Sequence, residues 1–137
     1  MFPQSILEAL VYEEREQQWN RVLASGGSCL FVAEVAGVVV GFACGGRNRD
    51  RHYEHTYPGE LQAIYLLKAH QRLGIGRALF ENVRAWLGSN DLAAFLLWVV
   101  AENPSCAFYE RLGGTRIVTQ PTEIRGARVI ESAYGWR

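Results

Sequence analysis

Three features of the sequence predict a mixed α/β fold. Apolar, β-branched runs alternate with segments of helical periodicity, Gly-containing turns stand at the joins, and no repeat, low-complexity tract or interdomain linker interrupts the pattern. At 137 residues, 49% hydrophobic and 20% charged, the chain suits one domain that buries roughly two thirds of its unfolded surface.

Ser5 and Glu8 form an S-x-x-E capping box, and Ile6, Leu7, Leu10, Val11, Trp19, Val22 and Leu23 fall near one face of a helix running from about 5 to 24. Gly26-Gly27 would close it. Next, Cys29 to Val35 and Val38 to Cys44 are apolar strands joined at Ala36-Gly37, a hairpin signature. Arg47 to Gly59 breaks periodicity and collects charge and aromatics, which predicts a long exposed loop.

A strand from Glu60 to Leu67 then leads through a Gly-containing turn into a helix marked by Ile75, Leu79, Val83, Trp86 and Leu87. Leu92 to Ala101 is almost unbroken apolar sequence, too short to span a bilayer, and reads as a strand buried on both faces and paired in parallel. Asn103 can cap a short helix with Pro104 at its first position and Gly113-Gly114 at its end. A last hairpin, about 115 to 120 and 127 to 135, completes the order helix, hairpin, strand, helix, strand, helix, hairpin.

Fourteen basic residues balance fourteen acidic ones, so no strong field draws the chain to nucleic acid or to an anionic membrane. The N-terminus has no basic region followed by an apolar one, and no run reaches eighteen apolar residues, so a cytoplasmic protein is expected. Cys29, Cys44 and Cys106 are odd in number and widely spaced, which points to core packing rather than disulfides or zinc. His52 and His55 lie in the irregular loop without a third plausible ligand, so no metal is expected.

Function is concentrated at Gln71-Arg72-Leu73-Gly74-Ile75-Gly76. Where a helix starts directly after a strand, its first N–H groups lack partners and carry the positive end of the macrodipole, which suits a pyrophosphate. Glycines at 74 and 76 would let phosphate oxygens approach the backbone, with Arg72 and Arg77 adding charge. A tight turn holding no ligand fits the same residues. A dinucleotide site fits less well, because Leu79 stands where G-x-G-x-x-G requires its last glycine.

The stretch Gln71 to Leu79 resembles the Q/R-x-x-G-x-G/A motif and following helix of the GNAT superfamily of N-acetyltransferases. Gly59-Glu60-Leu61-Gln62-Ala63-Ile64-Tyr65-Leu66 resembles the strand that leads into that motif. Glu102-Asn103-Pro104-Ser105-Cys106-Ala107-Phe108-Tyr109-Glu110-Arg111-Leu112-Gly113 is similar to the family's N-x-x-A-x-x-F-Y-E-x-L-G signature. Val32 to Phe42 resembles its second and third strands, so the likeness runs from about residue 5 to the end.

The resemblance implies a central, mostly antiparallel mixed sheet with helices on both faces, shortened at the N-terminus. It implies acetyl-CoA as cosubstrate and direct attack by a primary amine in a ternary complex. The amides of Arg72, Leu73, Gly74, Ile75, Gly76 and Arg77 would hold the pyrophosphate, with Gln71 and Ala78 as further cofactor-binding residues. The backbone of Ile64, Tyr65 and Leu66 would pair with the pantetheine arm, and Asn103 and Phe108 would complete the cofactor site. The resemblance also implies that the strand ending near Leu67 and the strand ending near Ala101 splay apart, opening a slot where thioester meets amine.

Lys68, Arg72 and Gly114 depart from the family pattern, which often has Pro, Gly and an aromatic there. The opening helix resembles the family's second, so the usual first strand and first helix are expected to be missing. That would leave an exposed sheet edge which a second subunit could cover, making a homodimer the expected assembly.

Amide formation needs a neutral amine and stabilisation of the thioester oxygen and departing thiolate. Glu60, at the start of the strand, is the candidate base, with a salt bridge to an arginine of the preceding loop as its purely structural alternative. Tyr109 is the candidate acid, with burial beside Phe108 as its alternative. Some family members place a glutamate on the later strand, where this chain has Trp98. Arg47, Arg49, Arg51, His52, Tyr53, Glu54 and His55 are expected to border the acceptor site. A non-catalytic acyl-CoA sensor and a fragment needing a partner chain are the competing readings.

Overall fold

The computed structural model describes residues 19–25 and 27–137. A seven-stranded sheet has the order β1-β2-β3-β4-β5-β7-β6. Its strands are β1 Trp19–Ser25, β2 Ser28–Val35, β3 Val38–Arg47, β4 Gly59–Leu66, β5 Phe95–Val100, β6 Thr115–Ile124 and β7 Ala127–Trp136. The helices are α1 Ile75–Ser89 and α2 Ser105–Arg111, and a 3₁₀ turn occupies Lys68–His70. Every neighbouring pair is antiparallel except β4 with β5.

Both hairpin readings hold because the turns have the left-handed backbone that two-residue hairpins need. Ala36 and Gly37 have φ of +52° and +79°, and Arg125 and Gly126 have +51° and +81°. The strands run beyond the expected ends, to Arg47 and Ile124, because ladder pairing outlasts the apolar pattern.

The helix expected from about 5 to 24 is corrected where the structure describes it. Trp19–Ser25 is a strand, paired with β2 from Trp19 opposite Glu34 to Ser25 opposite Ser28. Gly27, of the pair taken for a helix stop, instead lies in a turn directly before β2. Aromatic and β-branched Trp19 and Val22 suit either reading, and the ladder to β2 decides. Residues 5–18 lie outside the described residues. β1 also occupies the edge of β2 that was expected to invite a second subunit.

One face of the sheet carries the main core. Phe31, Ala43, Leu61, Phe95, Leu97, Tyr134 and Trp136 pack there against Leu79, Phe80, Val83 and Leu87 of α1 and Cys106 and Tyr109 of α2. Burying a side chain of this size stabilises the fold by about 1.5–3 kcal/mol. Both described helices therefore sit on one face. Cys29, Cys44 and Cys106 are buried and unbridged, with Cys29 and Cys44 in separate apolar clusters.

Two further expectations are adjusted. The strand read from Leu92 to Ala101 begins at Phe95, because Asp91 adopts a left-handed φ of +61° and Leu92 N–H still donates to Leu87 O at the end of α1. It pairs mainly antiparallel to β7 rather than parallel to β4. The 47–59 segment is not simply exposed. Asn48 and Tyr57 are buried, and Asn48 Nδ2 donates to Tyr57 O at 2.8 Å.

Candidate active site

β4 and β5 are partners only at Gly59 with Phe95 and Glu60 with Leu96. β4 then continues with β3 to Leu66, while β5 continues with β7 to Val100, so a gap opens between them. The orientation of the β4 backbone along this gap follows from a bulge. Leu61 opposes Gly45 and Ala63 opposes Cys44, leaving Gln62 as the extra residue. Gly59 N–H donates to Ala94 O on the β5 side, whereas Leu67 N–H donates to Val40 O on the β3 side. In an unbroken strand residues 59 and 67 would point the same way, so the bulge has inverted the alternation. Tyr65 then bonds toward β3, and Ile64 and Leu66 turn their N–H and C=O groups into the gap.

At the end of β4 the chain passes through the 3₁₀ turn to the glycine turn. Gln71 Nε2 donates to Leu66 O at 3.2 Å, tying the turn back to the strand. Arg72 and Gly74 are left-handed, with φ of +66° and +83°. Gly74 is the cap of α1, no side chain caps it, and no acidic residue lies in the first turn. The first intrahelical bond runs from Ala78 N–H to Gly74 O at 3.0 Å, so the N–H groups of Ile75, Gly76 and Arg77 have no intrahelical acceptor. Alternating backbone handedness before a helix start gathers N–H groups into an anion-binding concavity.

α2 faces this turn. A Cβ built on Gly76 would lie 3.7 Å from Phe108 Cζ and 3.8 Å from Leu66 Cδ2, so these side chains meet at the start of α1. Asn103 Oδ1 accepts Ser105 N–H at 2.8 Å, which is the expected cap. Glu110 Oε2 accepts the Tyr134 hydroxyl at 2.7 Å, and Arg116 Nη2 donates to the same hydroxyl at 3.1 Å. This network fastens α2 to β6 and β7 and so fixes Tyr109. Burial, with a smaller contribution from Cys106, pushes the Tyr109 phenol up to about 12.

Glu60 lies on the opposite face of the sheet. It is 6% exposed, and its carboxylate accepts the Arg49 backbone N–H and Nε on Oε1 and Nη2 on Oε2, each at 3.1 Å. Tyr53, on the same loop as Arg49, meets Trp98 edge-on with ring centroids 6.1 Å apart. The gap therefore connects a face holding Glu60 and Trp98 with one holding Tyr109.

The family model described as Acetyltransferase (GNAT) family matches residues 2–114. The chain belongs to that family. It is 36% identical over 137 residues to the uncharacterized N-acetyltransferase YuaI of Bacillus subtilis, covering 99% of this chain and 76% of the relative. The yncA structure from Salmonella typhimurium with its cofactor acetyl-CoA is similar at a TM-score of 0.66 and 22% identity, over 80% of this chain and 64% of that one. A Bacillus anthracis structure named for streptothricin acetyltransferase, in complex with acetyl coenzyme A, gives a TM-score of 0.70 at 16% identity, over 83% and 64%. The chain thus spans somewhat under two thirds of those two solved proteins, which share its fold.

On this GNAT frame, the candidates Ile64, Leu66, Gln71, Arg72, Leu73, Gly74, Ile75, Gly76, Arg77, Ala78 and Phe108 gather around one end of the gap. Tyr65 is different, because its backbone belongs to the β3 ladder and its side chain is exposed. The side-chain oxygen of Asn103 is spent on the α2 cap. Sequence reasoning missed three partners: Gln71 as a tie to Leu66, Arg49 as the particular arginine on Glu60, and Glu110 as the anchor of α2. Arg49 and Glu60 are eleven residues apart across a loop, a separation that no local periodicity reports. Among the described residues, no helix is long and apolar enough to cross a membrane.

Proposed function

We propose that the chain transfers the acetyl group of acetyl-CoA to a primary amine by direct attack in a ternary complex. The observation that carries this is the continuity of the β4 gap with the uncapped start of α1. An extended pantetheine arm can pair with Ile64 and Leu66 while the pyrophosphate meets the N–H groups of Ile75, Gly76 and Arg77 and the charges of Arg72 and Arg77. The thioester would then lie in the gap, open to an amine from the Glu60 face. Free, buried thiols suit a reducing, cytoplasmic setting.

Tyr109 keeps its proton throughout the neutral and mildly alkaline range, because burial raises its pKa to about 12. It serves as hydrogen-bond donor to the departing thiolate. Glu60 takes up the amine proton through water. Two donors occupy its Oε1, but Oε2 accepts only Arg49 Nη2 and keeps acceptor capacity for that water.

Free-thiol release from acetyl-CoA against a panel of amines tests the reading. Wild-type protein should release thiol only when an amine is present, and Tyr109→Phe should lower kcat by about 10²-fold with acetyl-CoA affinity unchanged. Saturable acetyl-CoA binding without release for any amine would favour a sensor instead.

A further inference from the structure

We propose that the acceptor is a diamine, an amine carrying a second cationic group, and that Tyr53, Trp98 and Glu131 receive that second charge. The proposal rests on the acetyl-transfer reading above and adds its substrate class. Side chains that oppose one another in a sheet share a face, and alternate residues along a strand do so too. Glu60 opposes Leu96, Trp98 opposes Ala133 and Val100 opposes Glu131. Glu60, Trp98 and Glu131 therefore stand on one face, the one away from α1.

Leu96 is the last β5 residue paired with β4, so Trp98 is the first side chain on that face beside the open gap. Its ring and that of Tyr53 meet at 67°, and both residues are half-buried, leaving aromatic surface at the mouth. Glu131 lies diagonally across from Trp98, a distance of about 7–8 Å. It is half-buried, and its carboxylate makes no hydrogen bond or ion pair among the described residues. Aromatic faces and a partly desolvated carboxylate both attract a cation and repel an anion. The charge of Arg49 is already matched by Glu60, and Arg51 is exposed on the outer turn of its loop. The separation of Trp98 from Glu131 is close to the length of an extended four-carbon diamine, so with one nitrogen in the gap beside Trp98 the other comes within reach of the Glu131 carboxylate.

The test compares 1,4-diaminobutane, butylamine and 4-aminobutanoate as acceptors, following thiol release from acetyl-CoA. For the wild type, kcat/KM for the diamine should exceed that for butylamine about tenfold, with 4-aminobutanoate the poorest. Trp98→Ala and Glu131→Gln should each bring the diamine-to-butylamine ratio close to one, and Glu131→Lys should make 4-aminobutanoate better than the diamine. Equal use of diamine and butylamine, a preference for 4-aminobutanoate, or a ratio that survives Glu131→Gln would overturn the proposal. If no probe releases thiol, calorimetric titration of the coenzyme A-bound protein with the same probes decides. Diamine binding about tenfold tighter than butylamine upholds the site while the transfer reading fails, and absence of that preference removes the site.

Discussion

Arg72 holds a left-handed backbone, φ +66°, a conformation that favours glycine. A side chain in that conformation costs about 1–2 kcal/mol, part of which glycine returns through its larger unfolded-state entropy. Arg72→Gly should therefore raise stability by about 0.5–1 kcal/mol in urea unfolding. It should also weaken acetyl-CoA several-fold at low salt and less at high salt, since the lost guanidinium is exposed. A variant that loses stability would mean that the arginine makes a folded-state contact outweighing its strain. Tyr109 was readable as a candidate because of its place in the Asn103 to Gly113 segment, and burial beside Phe108 was its alternative, but the packing partners Tyr134 and Trp136 were not readable, since they arrive from β7. Glu60 was readable as a candidate from its place at the start of the Gly59 to Leu66 strand, while the particular arginine that pairs with it was not.

At the scale of elements, β4 does most of the positioning. Its bulge at Gln62 turns Ile64 and Leu66 into the gap, and β3 holds it from the other side. Gly41 permits that approach. A Cβ there would lie 2.7 Å from Tyr65 O and 2.8 Å from Leu66 Cδ1, and the first of these is backbone that must move. Gly41→Ala should cost about 1–3 kcal/mol of stability and weaken acetyl-CoA by about tenfold, as calorimetry would show, because moving Tyr65 O displaces β4 and with it Ile64 and Leu66, which face the gap. Unchanged affinity in a folded Gly41→Ala protein would argue against pantetheine pairing along β4. The hairpins, α1 and α2 were legible because their signals are local: Ala36-Gly37, the 3.6-residue spacing from Ile75, and the Asn103 cap. The bulge and the separation of β4 from β5 were not, because both are set by register between strands distant in sequence. The stretch 19–25 was misread for a related reason. Its apolar residues fit a helical face and a strand equally, and only the partner β2 distinguishes them.

Over the whole molecule, buried titratable groups set a limit on alkaline stability. Burial raises Tyr109 from 10 to about 12, and raises Cys29 from 9 to about 11 against a smaller opposing bond from Gly45. For a group whose folded pKa is raised, the stabilisation is complete below the unfolded value and disappears as pH climbs through the folded one. Stability should thus hold up to pH 9 and fall between pH 9 and 12, by roughly 2–3 kcal/mol per group. Tyr109→Phe should remove the share lost between pH 10 and about 12 and leave the Cys29 share, lost between pH 9 and about 11, measured by chemical denaturation at fixed pH. The fold was legible at this scale because the order of strands, helices and glycine turns constrains a single sheet.

The central claim, that acetyl-CoA runs along β4 to the start of α1, is tested most directly by following backbone amide resonances as acetyl-CoA is added. The account predicts saturable shifts of the Ile64, Leu66, Ile75, Gly76 and Arg77 amides, with the β6–β7 turn at Arg125-Gly126 unmoved. Saturable binding that leaves those five amides in place while other amides shift would contradict it.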